Sequence, residues 1–497
     1  MEHSDGEIAA PPEDRLSALP VDILIDILLK LRDAAAAART SGLSRHWRHL
    51  WALLPELYFH PAARPNGIRA AIESNEALAL RRLEVEVIDP THESLADWLP
   101  TAADRLSGDL QLSNEVRNGT EGGGAVELPC FEDATGIRLD LGALALAMPP
   151  WGVFAGLTEL FLSGFELRGP CMLGDAVSSP RCPALRKLTV RGAWGLANLA
   201  IHSDSLLEIE LTNLEPPGDI PCLGNITIHS ESLLLMHLIK VHAMQQLTVF
   251  APALEVLNVI YCFAHGDGET CSEPVAEITA PRLMSLNWKD ACDTFTKFNN
   301  VGNLEWLTTY PFHVYGQVAQ KFSNDWFLCL MQRFVLVQNL RFSLVYLLDI
   351  TNKQYLMEDI KSLPDITGLI LEIKPNGHSF GASVFHVLRM CTGLRDLRLT
   401  LMGTQTACPS GCVCDQPPNW KTQELTLSCL QEVTISKLRG TEHEAALIKR
   451  LFDWATALEK ITIAFHGSIP ESKANEFFQM LQSFSRPEIC MKGPCFS

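Results

Sequence analysis

The sequence predicts an α/β chain in which a small N-terminal helical module precedes a repeat solenoid with a parallel sheet on its concave face. Two patterns predict it: a dense apolar run between Arg15 and Trp51, and a Leu-x-x-Leu-x-Leu segment that recurs through the middle and end of the chain. A third observation bears on function, because no catalytic motif accompanies either pattern.

The N-terminal run reads RLSALPVDILIDILLKLRDAAAAARTSGLSRHWRHLW. Pro20 fits the start of a helix, since its fixed φ suits the first turn and its missing N–H would be unpaired there anyway. A first helix is therefore expected from about Val21. Ile23, Leu24, Ile27, Leu28 and Leu31 recur at helical spacing, and Val21, Ile25 and Leu29 widen the apolar belt beyond what one core face needs. The alanines from Ala34 to Ala38 favour a second helix that ends at Ser41-Gly42. A third is expected with Ser44 as N-cap and with Leu43, Trp47, Leu50 and Trp51 at helical spacing. Three such short helices cannot bury much core alone, and the segment has no cysteine, so its surplus apolar surface points to a partner.

This order of residues resembles the F-box: Leu19-Pro20 at a helix start, an apolar helix, then Leu43-Ser44-Arg45-His46-Trp47-Arg48-His49-Leu50-Trp51. Plant members often carry a second proline after the first helix, where this chain has Arg32. The resemblance implies that the segment binds a Skp-family adaptor and through it a cullin scaffold. The positions matched to the family's apolar set are Leu19, Pro20, Ile23, Leu24, Ile27, Leu31, Leu43, Trp47, Leu50 and Trp51. Some of them must form the module's own core, and the sequence does not sort them.

Repeat segments begin at Leu157, Leu185, Leu206, Leu233, Leu254 and Leu283, with a partial copy at Leu304, and again at Leu394, Leu430 and Leu458. From Leu157 to Leu304 the starts lie 28, 21, 27, 21, 29 and 21 residues apart, a period typical of leucine-rich repeats. In such a solenoid the alternate leucines point into a core shared between neighbouring units, because no single unit can cover its own apolar face. Periodicity weakens from Gln317 to Gly393, and the asparagine or cysteine that usually follows the strand is mostly missing. Residues between the leucines should face outward on the concave side, among them Glu159, Phe161, Lys187, Thr189, Glu208 and Glu210.

Near the C-terminus, Leu430-Gln-Glu-Val-Thr-Ile, the amphipathic Leu447–Trp454 segment and Leu458-Glu-Lys-Ile-Thr-Ile463 form a strand, helix, strand unit. It is similar to the FBD segment that closes many plant F-box proteins with leucine-rich repeats. The expected organisation is a flexible acidic tail over 1–13, an F-box over 14–60, irregular repeats over 61–415 with an exposed loop at 113–129, and FBD-like repeats and cap over 416–497.

Composition excludes several classes. Net charge is −18, from 40 Lys and Arg against 58 Asp and Glu, which disfavours nucleic acid as partner of the chain as a whole. Residues 15–51 reverse that balance, with six basic residues against three aspartates, as suits an acidic adaptor. The acidic start lacks a signal-peptide pattern, and the longest uncharged stretch, Leu141 to Thr158, is broken by Pro149-Pro150, so no membrane span is expected. Fifteen cysteines, an odd number without framework spacing, fit reduced thiols in the cytoplasm or nucleus.

Candidate chemistry is sparse. Cys408, Cys412 and Cys414, with Cys429 farther on, form a Cys-x3-Cys-x-Cys run, whereas zinc usually takes paired Cys-x-x-Cys thiolates. A reduced loop and no metal is the expectation there, with structural zinc as the alternative. His443-Glu444 begins like a zinc-protease helix, but Leu447 stands where the second histidine is needed. No phosphate-binding loop or nucleophile elbow occurs, and His229, His237 and His242 read as ordinary polar residues near apolar strands. No cofactor and no enzymatic activity are expected.

The resemblance therefore implies a substrate-recognition subunit of an SCF-type ubiquitin ligase, in which the repeats hold an unknown target protein. Two alternatives stand: a small-molecule receptor on the concave face, for which Lys187, Arg191, Lys289 and Arg398 could supply charge, or an F-box protein acting outside a ligase.

Overall fold

The structure is a computed structural model that describes residues 19–116, 124–169, 171–218, 223–263, 275–317, 321–403, 408, 411–415 and 418–496. The expected acidic tail over 1–13 lies outside the described residues. The chain divides into two compact units, Met1–Ile220 and Pro221–Ser497.

The first unit contains helices α1 (Val21–Leu29), α2 (Ala34–Arg39), α3 (Pro65–Glu73), α4 (His92–Ala96), α5 (Leu99–Arg105) and α6 (Leu173–Val177). Its strands are β1 (Glu56–Phe59), β2 (Leu80–Ile88), β3 (Leu106–Glu115), β4 (Val126–Glu127), β5 (Gly136–Ala147), β6 (Glu159–Arg168), β7 (Lys187–Trp194), β8 (Leu199–His202) and β9 (Glu208–Glu215). The sheet is parallel in the order β1-β2-β3-β5-β6-β7-β9, with β4 alongside the end of β5. The repeat pattern sets its register. Leu83, Leu110, Ile137, Leu160, Leu188 and Ile209 are successive partners, as are Val85, Leu112, Leu139, Leu162, Val190 and Leu211, and all are buried. Side chains alternate across a strand, so this in-register stacking places one apolar row above another inside the solenoid.

Five strands that precede Leu157 thus belong to the same sheet. Leu54-Pro-Glu-Leu57-Tyr-Phe59 and Leu80-Arg-Arg-Leu83-Glu-Val85 carry the repeat pattern with Phe and Val in place of leucine. Of the expected exposed loop at 113–129, Ser113–Glu115 and Val126–Glu127 are strand, and 117–123 lie outside the described residues.

Strands β10 (Asn225–His229), β11 (Leu235–Val241), β12 (Gln246–Phe250), β13 (Val256–Ile260), β14 (Val275–Thr279), β15 (Ser285–Lys289), β16 (Thr296–Asn299) and β17 (Leu304–Thr309) open the second unit. After them come β18 (Phe312–His313), β19 (Tyr315–Gly316), α7 (Lys321–Arg333), β20 (Val337–Val345), β21 (Gln354–Tyr355), β22 (Gly368–Lys374), α8 (Gly381–Leu388) and β23 (Asp396–Leu401). The unit closes with β24 (Glu432–Leu438), α9 (Glu442–Trp454), β25 (Lys460–Phe465), α10 (Glu471–Phe484) and β26 (Cys490–Phe496).

Its main sheet is again parallel, running β11-β13-β15-β17-β20-β22-β23-β24-β25-β26. One apolar row passes through Met236, Leu257, Leu286, Leu307, Leu340, Leu369, Leu397, Val433 and Ile461. Leu340 and Leu369 carry that row through the stretch of weak periodicity, where α7 and α8 lengthen the units. In the short units a second parallel sheet, β10-β12-β14-β16, lies on the return side of each turn. Only 14 residues separate β11 from β13, enough for a five-residue strand and two turns but cramped for a helix with its loops.

Where the pattern usually has asparagine or cysteine, three residues past the second inward residue, Phe165, Ala193, Leu214, Val241 and Leu438 stand buried instead, and Cys262 keeps the pattern. Gly164, Gly192, Asn213, Lys240, Tyr261 and Lys437, each two residues past the second inward residue of its strand, all have positive φ between 52° and 62°. The strands kink at these positions into a left-handed conformation that glycine and asparagine adopt most readily but that lysine and tyrosine take here as well.

Candidate functional site

The N-terminal module is built as the sequence predicts for two of its three helices. Pro20 precedes α1, and Asp33 caps α2, its carboxylate accepting from the amides of Ala35 and Ala36 at 2.8 and 3.1 Å. The third element is a correction. It is a 3-10 helix, Trp47–Leu53, and Ser44 does not cap it; the Ser44 hydroxyl is buried without a hydrogen-bond partner. A three-residue turn aligns Trp47 and Leu50, both buried, which explains why this segment tightens instead of forming an α-helix.

Burial sorts the apolar set that the sequence leaves mixed. Leu24, Trp47 and Leu50 are buried, as are Leu28, Ala34 and Ala37. Ile23, Leu31 and Leu43 are 44, 45 and 70% exposed, and Pro20 and Val21 are exposed beside them. Leu19, Ile27 and Trp51 are half-buried. Pro20, Ile23 and Ile27 fall at helical spacing along one edge of α1, with Leu31 just past its end, so the uncovered residues form a stripe.

Arg32 resolves the missing proline. Its φ is +47°, a left-handed value that a proline ring, locked near −65°, cannot adopt. Its guanidinium donates to both oxygens of Glu84 on β2, at 2.9 and 3.1 Å, and lies 4.3 Å from the centroid of the Tyr58 ring on β1.

On the sheet of the first unit, Arg82, Asp109, Arg138, Glu159, Phe161 and Lys187 line a cleft of about 320 Å³. Charges there are paired: Lys187 with Glu208 and Arg191 with Glu210, each at 2.8 Å, while Arg138 stacks 4.2 Å from the Phe161 centroid. Thr189 keeps its outward register and lines this cleft, but its neighbours shield it. It is only 4% exposed, held between Phe161 and Glu210 in the ladder.

In the second unit Arg398 pairs with Asp396 at 3.0 Å, and His237 shares a 2.9 Å hydrogen bond with Asn258. Glu444 is a capping residue: it is buried, accepts the Thr441 amide at 2.8 Å and the Arg439 amide at 3.1 Å, and completes a capping box with Thr441. Burial raises its pKa above the ordinary carboxyl value, against the hydrogen bonds that lower it.

The cysteine run gains a ligand that the sequence analysis missed. His378, in the turn after β22, joins Cys408, Cys412 and Cys414, and their donor atoms all lie within 4.8 Å of one another. Cys429 is exposed and outside this group. Thirty residues separate His378 from Cys408, so no local spacing could have revealed it.

No family model matches the chain. It is 29% identical over 188 residues to an F-box protein of Arabidopsis thaliana, a match covering 36% of this chain and 46% of that protein. It is also 29% identical over 218 residues to a putative F-box/FBD/LRR-repeat protein of the same plant, covering 40% of this chain and 42% of the relative. This chain resembles the plant F-box/FBD/LRR-repeat proteins. A third Arabidopsis relative, a putative FBD-associated F-box protein, is 24% identical over 309 residues, 60% of this chain and 72% of its own length. With the first two F-box relatives, the chain spans less than half of their length. Among the described residues, no helix is long and apolar enough to cross a membrane.

Proposed function

We propose that this F-box-like chain is the substrate-recognition subunit of an SCF-type ubiquitin ligase. Its N-terminal module docks a Skp-family adaptor, which links it to a cullin scaffold, and its repeats hold the target protein. The observation that carries this reading is the division within the module: Leu24, Trp47 and Leu50 are buried, while Pro20, Ile23 and Leu31 remain exposed as an apolar stripe along α1, and Leu43 is exposed as well. Single exposed apolar residues need no explanation, but a contiguous stripe on a small helical module marks a protein interface.

On this reading the chain makes and breaks no bonds. It tethers a target near ubiquitin-charged enzyme, where a short tether sets an effective concentration of target lysines on the order of millimolar. The ion pairs of Lys187, Arg191 and Arg398 favour a protein target over a small anionic ligand, since these cations are already neutralised by their neighbours.

Affinity purification of the full chain from plant cells, with proteasome activity blocked, tests the proposal. Adaptor, cullin and a ubiquitinated protein should copurify. Adaptor without cullin would place the chain outside a ligase, and the absence of both adaptor and cullin would refute the reading.

A further inference from the structure

We infer that His378, Cys408, Cys412 and Cys414 form a structural zinc site that fastens the excursion between β23 and β24 to the turn after β22. Tetrahedral zinc with Zn–S near 2.3 Å and Zn–N near 2.0 to 2.1 Å requires ligand–ligand edges of about 3.8 Å between sulfurs and about 3.6 Å between sulfur and nitrogen. The Cys408 and Cys414 Sγ atoms are 3.6 Å apart, and Cys412 Sγ is 3.4 Å from His378 Nδ1. These two of the six edges match such a tetrahedron, and the remaining donor pairs, all within 4.8 Å, need to close by no more than about 1 Å to complete it.

The surroundings fix the histidine for this role. His378 Nε2 faces the carbonyl oxygens of Leu347 and Leu348 at 3.1 and 3.3 Å, so Nε2 carries the proton it donates to them. Nδ1 then presents its lone pair to the three sulfurs, the arrangement that backbone carbonyls impose on zinc-binding histidines. Tyr346 stacks on the ring with centroids 6.0 Å apart, and His378 is only 4% exposed. The Ser379 amide donates to Cys414 Sγ at 3.4 Å, and the Cys408 amide to the Gly377 carbonyl at 3.2 Å, so both segments are already tied by backbone bonds.

Three thiolates and a neutral imidazole select zinc among abundant divalent ions, because soft sulfur ligands disfavour magnesium and calcium. Binding releases three thiol protons to solvent and leaves the centre with one net negative charge, which the Ser379 amide partly offsets. Four protein ligands leave no open position, so the site is structural. Its benefit is local: the chain from Met402 to Gln431 contains no strand or α-helix among its described residues, and a metal clip reduces the conformational freedom of such an excursion in the unfolded chain. A Cys408–Cys414 disulfide would use only two of the four groups and needs the sulfurs at about 2.05 Å.

The test is metal analysis of the full chain, purified with its thiols reduced and supplied with zinc. About one zinc per chain is expected, with cobalt substitution giving the intense visible bands and near-ultraviolet thiolate charge transfer of a tetrahedral sulfur-rich site. His378→Ala and Cys412→Ser should lose the metal, and Cys429→Ser should keep it. The wild-type chain supplies a second arm that does not depend on how the variants fold: a strong chelator should lower its melting temperature and zinc should restore it. A folded, reduced wild-type chain without zinc or a zinc-dependent melting shift overturns the inference. So does undiminished zinc in folded His378→Ala or Cys412→Ser, or a Cys408–Cys414 disulfide found in place of metal. None of these readouts depends on adaptor binding.

Discussion

The Arg32 guanidinium bridges both carboxylate oxygens of Glu84 from a left-handed backbone position, joining the turn after α1 to the second strand of the sheet. The pair is partly exposed, so its electrostatic contribution is modest, about 0 to 1 kcal/mol. The backbone conformation matters more. Arg32→Pro would restore the residue often found in plant F-boxes, yet it should destabilise this chain by roughly 1 to 3 kcal/mol, because φ of +47° is closed to proline. Arg32→Gly loses the ion pair but relieves the backbone, and should cost less. Urea unfolding of the two variants checks the order, and equal or reversed losses would contradict it.

Asp290 predicts a pH dependence for the second unit. Its buried carboxylate accepts amides from Cys262, Phe263 and Ala291, but burial outweighs them and pushes its pKa from 3.8 up to about 7. The native state therefore binds more protons than the unfolded state between these values, so stability contributed by the protonated group is complete at acid pH and is lost as pH rises through about 7. Subtracting the stability profile of Asp290→Asn from that of wild type should leave a difference that declines from pH 5 to 8. A difference that rises with pH would contradict the shift.

Cys329 is expected to be the fastest described thiol to alkylate near neutral pH. It lies on α7 with its sulfur 3.2 Å from Cys292, whose thiol donates to it, and with Arg333 nearby; both hold its pKa below the ordinary thiol value. Burial raises the pKa of Cys182, Cys262 and Cys391 instead. Mass-spectrometric mapping after brief iodoacetamide treatment should find Cys329 modified first, and Arg333→Gln should slow it.

Much of the architecture was legible because solenoid physics writes itself into spacing. The leucines at 157, 185 and 206 mark stacked strands in register, and the amphipathic spacing of Leu447–Trp454 marks α9. The earlier strands escaped notice where Phe59, Val85 and Ile137 fill the leucine positions, since any apolar side chain of similar size packs the row. The second sheet was hidden because β10, β12 and β14 are short, and alternation over five residues does not say which side of a solenoid a strand occupies. Trp47 and Leu50 misled in another way: a spacing of three suits both an α-helix and a 3-10 helix. For the cysteine cluster, the thiols were visible, but His378 reaches them only through the fold.

Adaptor affinity measured for two neighbouring residues of α1 tests the central claim most directly. Leu24 is fully buried and Ile23 is 44% exposed. Leu24→Ala should cost about 2 to 5 kcal/mol of folding stability, as core truncations do. Ile23→Ala, combined with Leu31→Ala, should leave the melting temperature nearly unchanged while weakening binding to a Skp-family adaptor by about thirtyfold or more, the loss of roughly 2 kcal/mol expected when interface anchors are removed. Undiminished adaptor affinity in a folded Ile23→Ala, Leu31→Ala chain, measured by calorimetry, would contradict the account.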